Sequence, residues 1–208
     1  MKKLLLLGAL MTMSSFAAII TYSTTGSQVC IGSQGCGVAT QTIGGSTGVR
    51  ITFNPIASST VNANPTTFGS FGEVIIACVG GGTACGSQSL AGANLYLNIT
   101  QTLPAPGGVA NISGGVMAGS ISGTASSASI TWSVPNDVFI GGANGISYSV
   151  LNNPLGLVPP SVNSGFTSIQ ATITDNATGP SPVPEPSTYV MVSAAIVGLG
   201  LLRKRASK

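Results

Sequence analysis

The chain has 208 residues, of which only 5% are charged and none is histidine, and its formal charge is +3. A globular protein ordinarily carries about a quarter charged residues. The positive sign belongs to the ends: Lys2, Lys3, Arg203, Lys204, Arg205 and Lys208 all flank the body, which keeps Arg50 against Glu73, Asp137 and Asp175 for a net −2. One arginine cannot supply the basic footprint that displaces counterions from nucleic acid, so no nucleic-acid partner is expected. The lack of histidine removes the imidazole base, the usual catalytic triad and histidine-type zinc sites.

In chain order, Lys2 and Lys3 precede an apolar run from Leu4 to Leu10. Ser15-Phe16-Ala17 then places small residues at the −3 and −1 positions of a cleavage site. This is the pattern of a secretory signal peptide over 1–17, too short to span a bilayer. About 160 residues remain between the two ends, enough for one domain with a core.

Four cysteines follow in two local settings, Cys30-Ile-Gly-Ser-Gln-Gly-Cys36 and Cys78-Val-Gly-Gly-Gly-Thr-Ala-Cys85. In an oxidising compartment an even count at close spacing reads as disulfides. Three pairings are possible, and the local ones, Cys30–Cys36 and Cys78–Cys85, are favoured because the intervening glycines let the chain turn back sharply. Zinc through four thiolates is the rival, but five and six intervening residues are too wide for the usual knuckle. No metal and no cofactor is expected.

The body, 18–175, alternates with the period of strands. Val49, Ile51 and Phe53 alternate with Arg50 and Thr52; Leu95, Leu97 and Ile99 with Tyr96, Asn98 and Thr100; Ile130, Trp132 and Val134 with Thr131 and Ser133; Ile169, Ala171 and Ile173 with Ser168, Gln170 and Thr172. Period two with a hydroxyl face means one side buried and one wet. Further strands are expected over 19–23, 73–78, 115–122 and 146–150. Gly, Pro and Asn clusters such as Pro104-Ala-Pro-Gly-Gly108 supply turns between them. About eight strands at this spacing predict an all-β fold, an antiparallel β-sandwich of the Ig-like or jelly-roll kind. Gly80-Gly81-Gly82-Thr83 lacks the lysine of a phosphate loop and fits a disulfide hairpin better.

A linker, 176–182, leads into the last stretch. Pro182, Pro184 and Pro186 hold an extended, accessible strip, because proline fixes φ and removes a donor. An uncharged run from Tyr189 to Leu202 follows, and Arg203, Lys204 and Arg205 close it. The predicted apolar helix, 188–202, is the one way its backbone satisfies itself in lipid. From Tyr189 it reaches roughly 21 Å at 1.5 Å per residue, short of the roughly 30 Å hydrocarbon core. It therefore needs Ser187 and Thr188 drawn in, snorkelling by Arg203, or local thinning. The basic tail, 203–208, resists translocation and acts as a membrane stop, leaving the body outside.

Val183-Pro184-Glu185-Pro186-Ser187-Thr188, the short apolar helix and Arg203-Lys204-Arg205 together resemble the PEP-CTERM sorting signal, here over 183–205. In that family a membrane-embedded cysteine protease, exosortase, recognises the signal in Gram-negative bacteria that make exopolysaccharide. The resemblance implies recognition at Pro184, Glu185 and Pro186, removal of a transient transmembrane helix, and transfer to the cell surface or the extracellular biofilm matrix. It implies exosortase, the membrane before processing, and exopolysaccharide as partners. It says nothing of the body.

For the body the expectation is a non-enzymatic structural or interaction protein. A carbohydrate-binding module is the alternative, with Tyr96, Trp132, Tyr148 and Tyr22 as candidate ring platforms. Tyr96 alternates away from Leu95 and Leu97, whereas Trp132 shares a face with Ile130 and Val134 and so also fits the core. A hydrolase would need a carboxylate pair drawn from Glu73, Asp137 and Asp175.

Overall fold

The computed structural model of the chain describes residues 17–32, 35–133, 137–142 and 144–176, the side chains at 113 and 114 excepted. The signal peptide before Ala17, the linker beyond Asn176 and the whole sorting stretch with its apolar helix lie outside the described residues.

Alternation of apolar and hydroxyl side chains gives strands throughout. They are β1 (Ala18–Ser23), β2 (Gln28–Ile31), β3 (Thr40–Ile43), β4 (Val49–Asn54), β5 (Ser59–Ala63) and β6 (Thr66–Cys78). Then come β7 (Gln88–Ser89), β8 (Ala93–Leu103), β9 (Gly108–Ala118), β10 (Ser120–Ile121) and β11 (Ser129–Thr131). The last are β12 (Asp137–Ile140), β13 (Ile146–Val150), β14 (Leu155–Gly156) and β15 (Phe166–Asp175). All pairing is antiparallel. One sheet has the order β14-β11-β9-β8-β1-β5, with β2 also on β8; a six-stranded sheet has the order β12-β13-β15-β6-β4-β3; β10 and β7 form a separate pair. The inner faces of the two large sheets share one apolar core, a sandwich-like arrangement.

Strands β1 and β2 lie end to end along the same edge of β8, Thr21–Ser23 against Thr100–Leu103 and Gln28–Ile31 against Ala93–Tyr96. The break between them is filled by side chains. The Ser27 hydroxyl donates to Thr24 O at 2.7 Å and accepts from the Asn98 N–H at 2.9 Å. Buried Thr24 accepts from the Ile56 N–H at 2.8 Å. Backbone groups that lose their ladder partner thus gain a hydroxyl one, as burial requires.

The central feature of the six-stranded sheet is a bulge in β6. Ser168 pairs with Glu73 and Gln170 with Ser70, so Phe71 and Gly72 oppose Ile169 alone. One extra residue inverts the alternation. Val74, Ile76 and Cys78 face the core, and unbroken alternation would bury Phe68 and expose Phe71. Instead Phe71 is fully buried and Phe68 is 71% exposed. Gly72 turns the corner at φ +111°, and a Cβ there would stand 2.5 Å from Asn54 O. The Ser70 hydroxyl braces the turn, accepting from the Gly72 N–H at 3.1 Å and donating to Ile169 O at 3.4 Å.

Phe71 enters an aromatic cluster. Tyr22 from the opposite sheet meets it edge-on, centroids 6.1 Å apart, and meets Tyr148 at 5.8 Å. Each such pair adds about 0.5–1.5 kcal/mol beyond area burial. The Tyr22 hydroxyl donates to Ser70 O at 2.8 Å, tying β1 to the bulge. Gly69 makes room for it, since a Cβ there would lie 2.6 Å from the Tyr22 oxygen. The Tyr148 hydroxyl donates to Gln101 Oε1 at 2.8 Å, and Gln101 Nε2 donates to Pro104 O at 3.1 Å.

The expectation of about eight strands undercounts the body. The expected strand over 130–134 ends at Thr131, because the Asn153 side chain takes both the N–H and the C=O of Trp132. Val134 lies outside the described residues. Strands β3 and β5 are mostly Thr, Ser, Gln and Asn, and β7, β10 and β14 have two residues each, so none shows an apolar alternation.

Two outcomes follow from this core. Gly72→Ala will lower stability by roughly 2–3 kcal/mol, from a strained φ and a backbone clash, read as a lower urea midpoint at unchanged slope. Burial holds the Tyr22 and Tyr148 hydroxyls above their ordinary value of 10.0, desolvation being the main cause for both. Below pH 10 the neutral phenols leave stability intact. Above it the unfolded chain releases protons that the folded one keeps, so stability falls as pH rises. With no histidine and no free thiol among the described residues, thermal midpoints will stay level from about pH 6 to 9 and drop above about pH 10, with a cooperative tyrosinate absorbance change.

Candidate functional site

The described side chains expected to carry function are scattered. Trp132 is 2% exposed and Tyr148 is 0% exposed, so neither offers a ring face to a sugar. This corrects their candidacy, and the reason is alternation: Trp132 extends the inward set of Ile130, and Tyr148 sits between inward Ile146 and Val150. Tyr22 is buried in the same cluster. Tyr96 does face outward, on β8, but its hydroxyl donates to Gly32 O at 3.4 Å and leans on the first cysteine loop. Pro184, Glu185, Pro186, Arg203, Lys204 and Arg205 lie outside the described residues.

Glu73, Asp137 and Asp175 all lie in the six-stranded sheet, far from one another. Asp137 is opposite Ser149, whose row continues through Thr172 to Phe68, whereas Glu73 is opposite Ser168. At strand and residue spacings of about 4.8 and 3.3 Å, Asp137 stands roughly 20 Å from Glu73 and roughly 14 Å from Asp175. The separations that glycosidases use are about 5–9.5 Å. Among the described residues no three His, Cys, Asp or Glu side chains gather to hold a metal ion.

The disulfides are Cys30–Cys36 and Cys78–Cys85, with Cα atoms 5.8 and 5.3 Å apart. Gln28 Oε1 organises the first loop by accepting from the Gly35 and Gly37 N–H groups at 3.2 and 3.4 Å. Both loops close the end of the body where β6 stops and β8 starts. The Gly86 N–H donates to Thr47 O there, and the Gly123 N–H to Cys85 O. The first and last strands of the body end at the other pole: Ala18 pairs with Ala63, and the Asp175 N–H donates to Pro65 O.

What the register does assemble is the outer face of the six-stranded sheet. Phe68 sits on β6 with Thr172 beside it and Ser149 beyond. Phe68, Gly69, Leu151 and Gln170 line an open depression of about 450 Å³. Gln170 is exposed, and Ser70 lies across from it. A second ring, Phe139, is 49% exposed on the edge strand β12, in a row with Ser147, Thr174 and Thr66. The Thr174 and Thr66 hydroxyls are 3.1 Å apart. Asp137 stands three strands from Phe68, about 14 Å, and Glu73 five residues along β6, about 15 Å. Both exceed the screening length of about 8 Å at physiological salt. The depression can hold a ligand by ring contact and by hydroxyl and amide hydrogen bonds, without ion pairing.

Sequence reasoning missed Phe68. The available signal was Gly72 directly after the Ser70-Phe71 step, where a glycine inside a strand marks a bulge. Comparisons with protein-family models, with curated proteins and with solved structures find no match.

The disulfides close short loops. Cys30→Ser with Cys36→Ser, or Cys78→Ser with Cys85→Ser, will each cost roughly 2–3 kcal/mol by the chain-entropy account. The double mutants' denaturation midpoints check this against the oxidised parent.

Proposed function

We propose that this chain is an exported, exosortase-processed protein of the cell surface or exopolysaccharide matrix, with a structural or interaction role and no catalysis of its own. Its body is read as a β-sandwich, Ig-like or jelly-roll, displayed after removal of both ends. The observation that carries this reading is the order of the last stretch: Pro184-Glu185-Pro186, then the uncharged run Tyr189 to Leu202, then Arg203-Lys204-Arg205.

Several features of the body support it. Two disulfides suit an oxidising compartment. Arg50 is the body's only lysine or arginine, so trypsin-like proteases have one target there. Hydroxyls and amides wet the surface in place of charge. In the proposed route the body is anchored transiently by the apolar helix, with the basic cluster left on the cytoplasmic side. Pro184, Glu185 and Pro186 are then read by exosortase as an extended substrate strip.

Intact mass of the mature protein from its native host, with and without reductant, tests the route. The expected species lacks the signal peptide and everything beyond the Pro-Glu-Pro element, and gains four hydrogens on reduction. Replacing Pro184, Glu185 and Pro186 by alanine should leave the tail attached. A wild-type protein still carrying Tyr189 to Lys208 would overturn the sorting reading and leave a plain membrane anchor.

A further inference from the structure

We infer that the outer face of the six-stranded sheet is a binding site for a neutral polysaccharide, with one sugar seated in the depression formed by Phe68, Gly69, Leu151 and Gln170. This rests on the reading of the body as an exported surface protein and names the class of partner it holds.

Phe68 is the most exposed large apolar side chain among the described residues, and it stands on a central strand. The bulge that exposes it also buries Phe71, so the two phenylalanines are divided between the outer face and the core. An exposed aromatic ring offers an apolar face on which a sugar's C–H face can lie.

Gln170 supplies an amide at the wall of the depression, and Thr172 and Ser149 supply hydroxyls in the adjoining register positions. Donors and acceptors beside an apolar platform are the complement of a sugar ring, which has C–H faces and a hydroxyl rim. The charged groups of this face lie beyond the screening length, so an acidic polymer gains nothing from it.

The face suits a glycan better than a protein. A stable protein interface buries roughly 800 Å² on each partner, with a well-packed core more apolar than its rim. Here Phe68 and Phe139 are separated by the Thr172, Ser147, Ser149 and Thr174 positions, so the apolar groups are islands among hydroxyls. Islands of ring surface at intervals suit a chain of repeating sugars. Phe139 would take a second sugar of the same chain.

The test uses the full chain, held in mild detergent, in native affinity gels. Neutral glucans, mannans and galactans form one arm, and alginate, an acidic polysaccharide, forms the other. At least one neutral polymer should retard the protein, and alginate should not. Phe68→Ala and Gln170→Ala should each weaken retention roughly tenfold, the scale of losing a central contact. Phe68→Tyr should restore it, and thermal midpoints should not move. If Phe68→Ala lowers the midpoint, Gln170→Ala and Phe68→Tyr decide the matter. Absence of retention by every neutral polymer overturns the proposal, and so does retention that survives both alanine substitutions. Self-association without glycan that Phe68→Ala abolishes would identify a second copy as the occupant and also overturn it. Sorting is read separately by mass. A correctly processed chain that binds no neutral glycan sinks this proposal alone, and a glycan-binding chain with its tail intact sinks only the sorting reading.

Discussion

The arrangement of the body depends on one extra residue in β6. The bulge at Phe71 and Gly72 reverses which side of the strand faces inward, and both sheets are fitted to that reversal. Inside, Phe71 completes a three-ring cluster with Tyr22 and Tyr148. Tyr22 then returns a hydrogen bond to Ser70 at the bulge, so the opposite sheet helps hold the irregularity that the cluster requires. Outside, the same reversal raises Phe68 into solvent. A strand without the bulge would exchange the two rings, emptying the cluster and burying the platform.

With so few charges, the chain meets most of its polar obligations with neutral groups, buried Asn98 Oδ1 and Trp132 Nε1 being exceptions among the described residues. Thr24, Ser27, Gln101 and Thr167 are the buried polar side chains among the described residues. Each has partners: Thr24 binds Ile56 N, Ser27 bridges Thr24 and Asn98, Gln101 joins Tyr148 to Pro104, and Thr167 accepts from Val158 N. Neutral hydrogen bonds contribute about 1 kcal/mol net each, yet leaving one partner buried and alone costs about 1–3 kcal/mol. These bonds therefore act mainly by excluding alternative arrangements. On the surface, threonine pairs such as Thr21 with Thr60 and Thr66 with Thr174 occupy cross-strand positions where other sheets carry ion pairs.

How far the sequence could be read follows from how local each signal is. The long strands β4, β8 and β15 were legible because Val49 to Phe53, Leu95 to Ile99 and Ile169 to Ile173 alternate without interruption. The disulfides were legible because close spacing and glycines specify a local closure. Edge strands such as β3 and β5 were not, since Thr, Gln, Ser and Asn give no apolar period and pairing is decided by a neighbour distant in the chain. Trp132 and Tyr148 could be assigned to the core from their in-phase neighbours Ile130, Ile146 and Val150. Phe68 is placed only when Gly72 is read as a bulge, because simple counting back from Val74 crosses it and reaches the wrong face. The sites lay where local periodicity fails, which is also where a fold spends its irregularity.

The position of β15 has a consequence for timing. It is the last strand of the body, yet it lies inside the six-stranded sheet, between β13 and β6. A chain that is synthesised or threaded across a membrane from its N-terminus leaves β6 without this neighbour until Phe166 to Asp175 has emerged. The sheet cannot be completed before then, and β12 and β13 have nothing to join. The Pro-Glu-Pro element follows Asp175 by only nine residues. In the proposed route, final closure of the body and arrival of the Pro-Glu-Pro strip would therefore be nearly the same event.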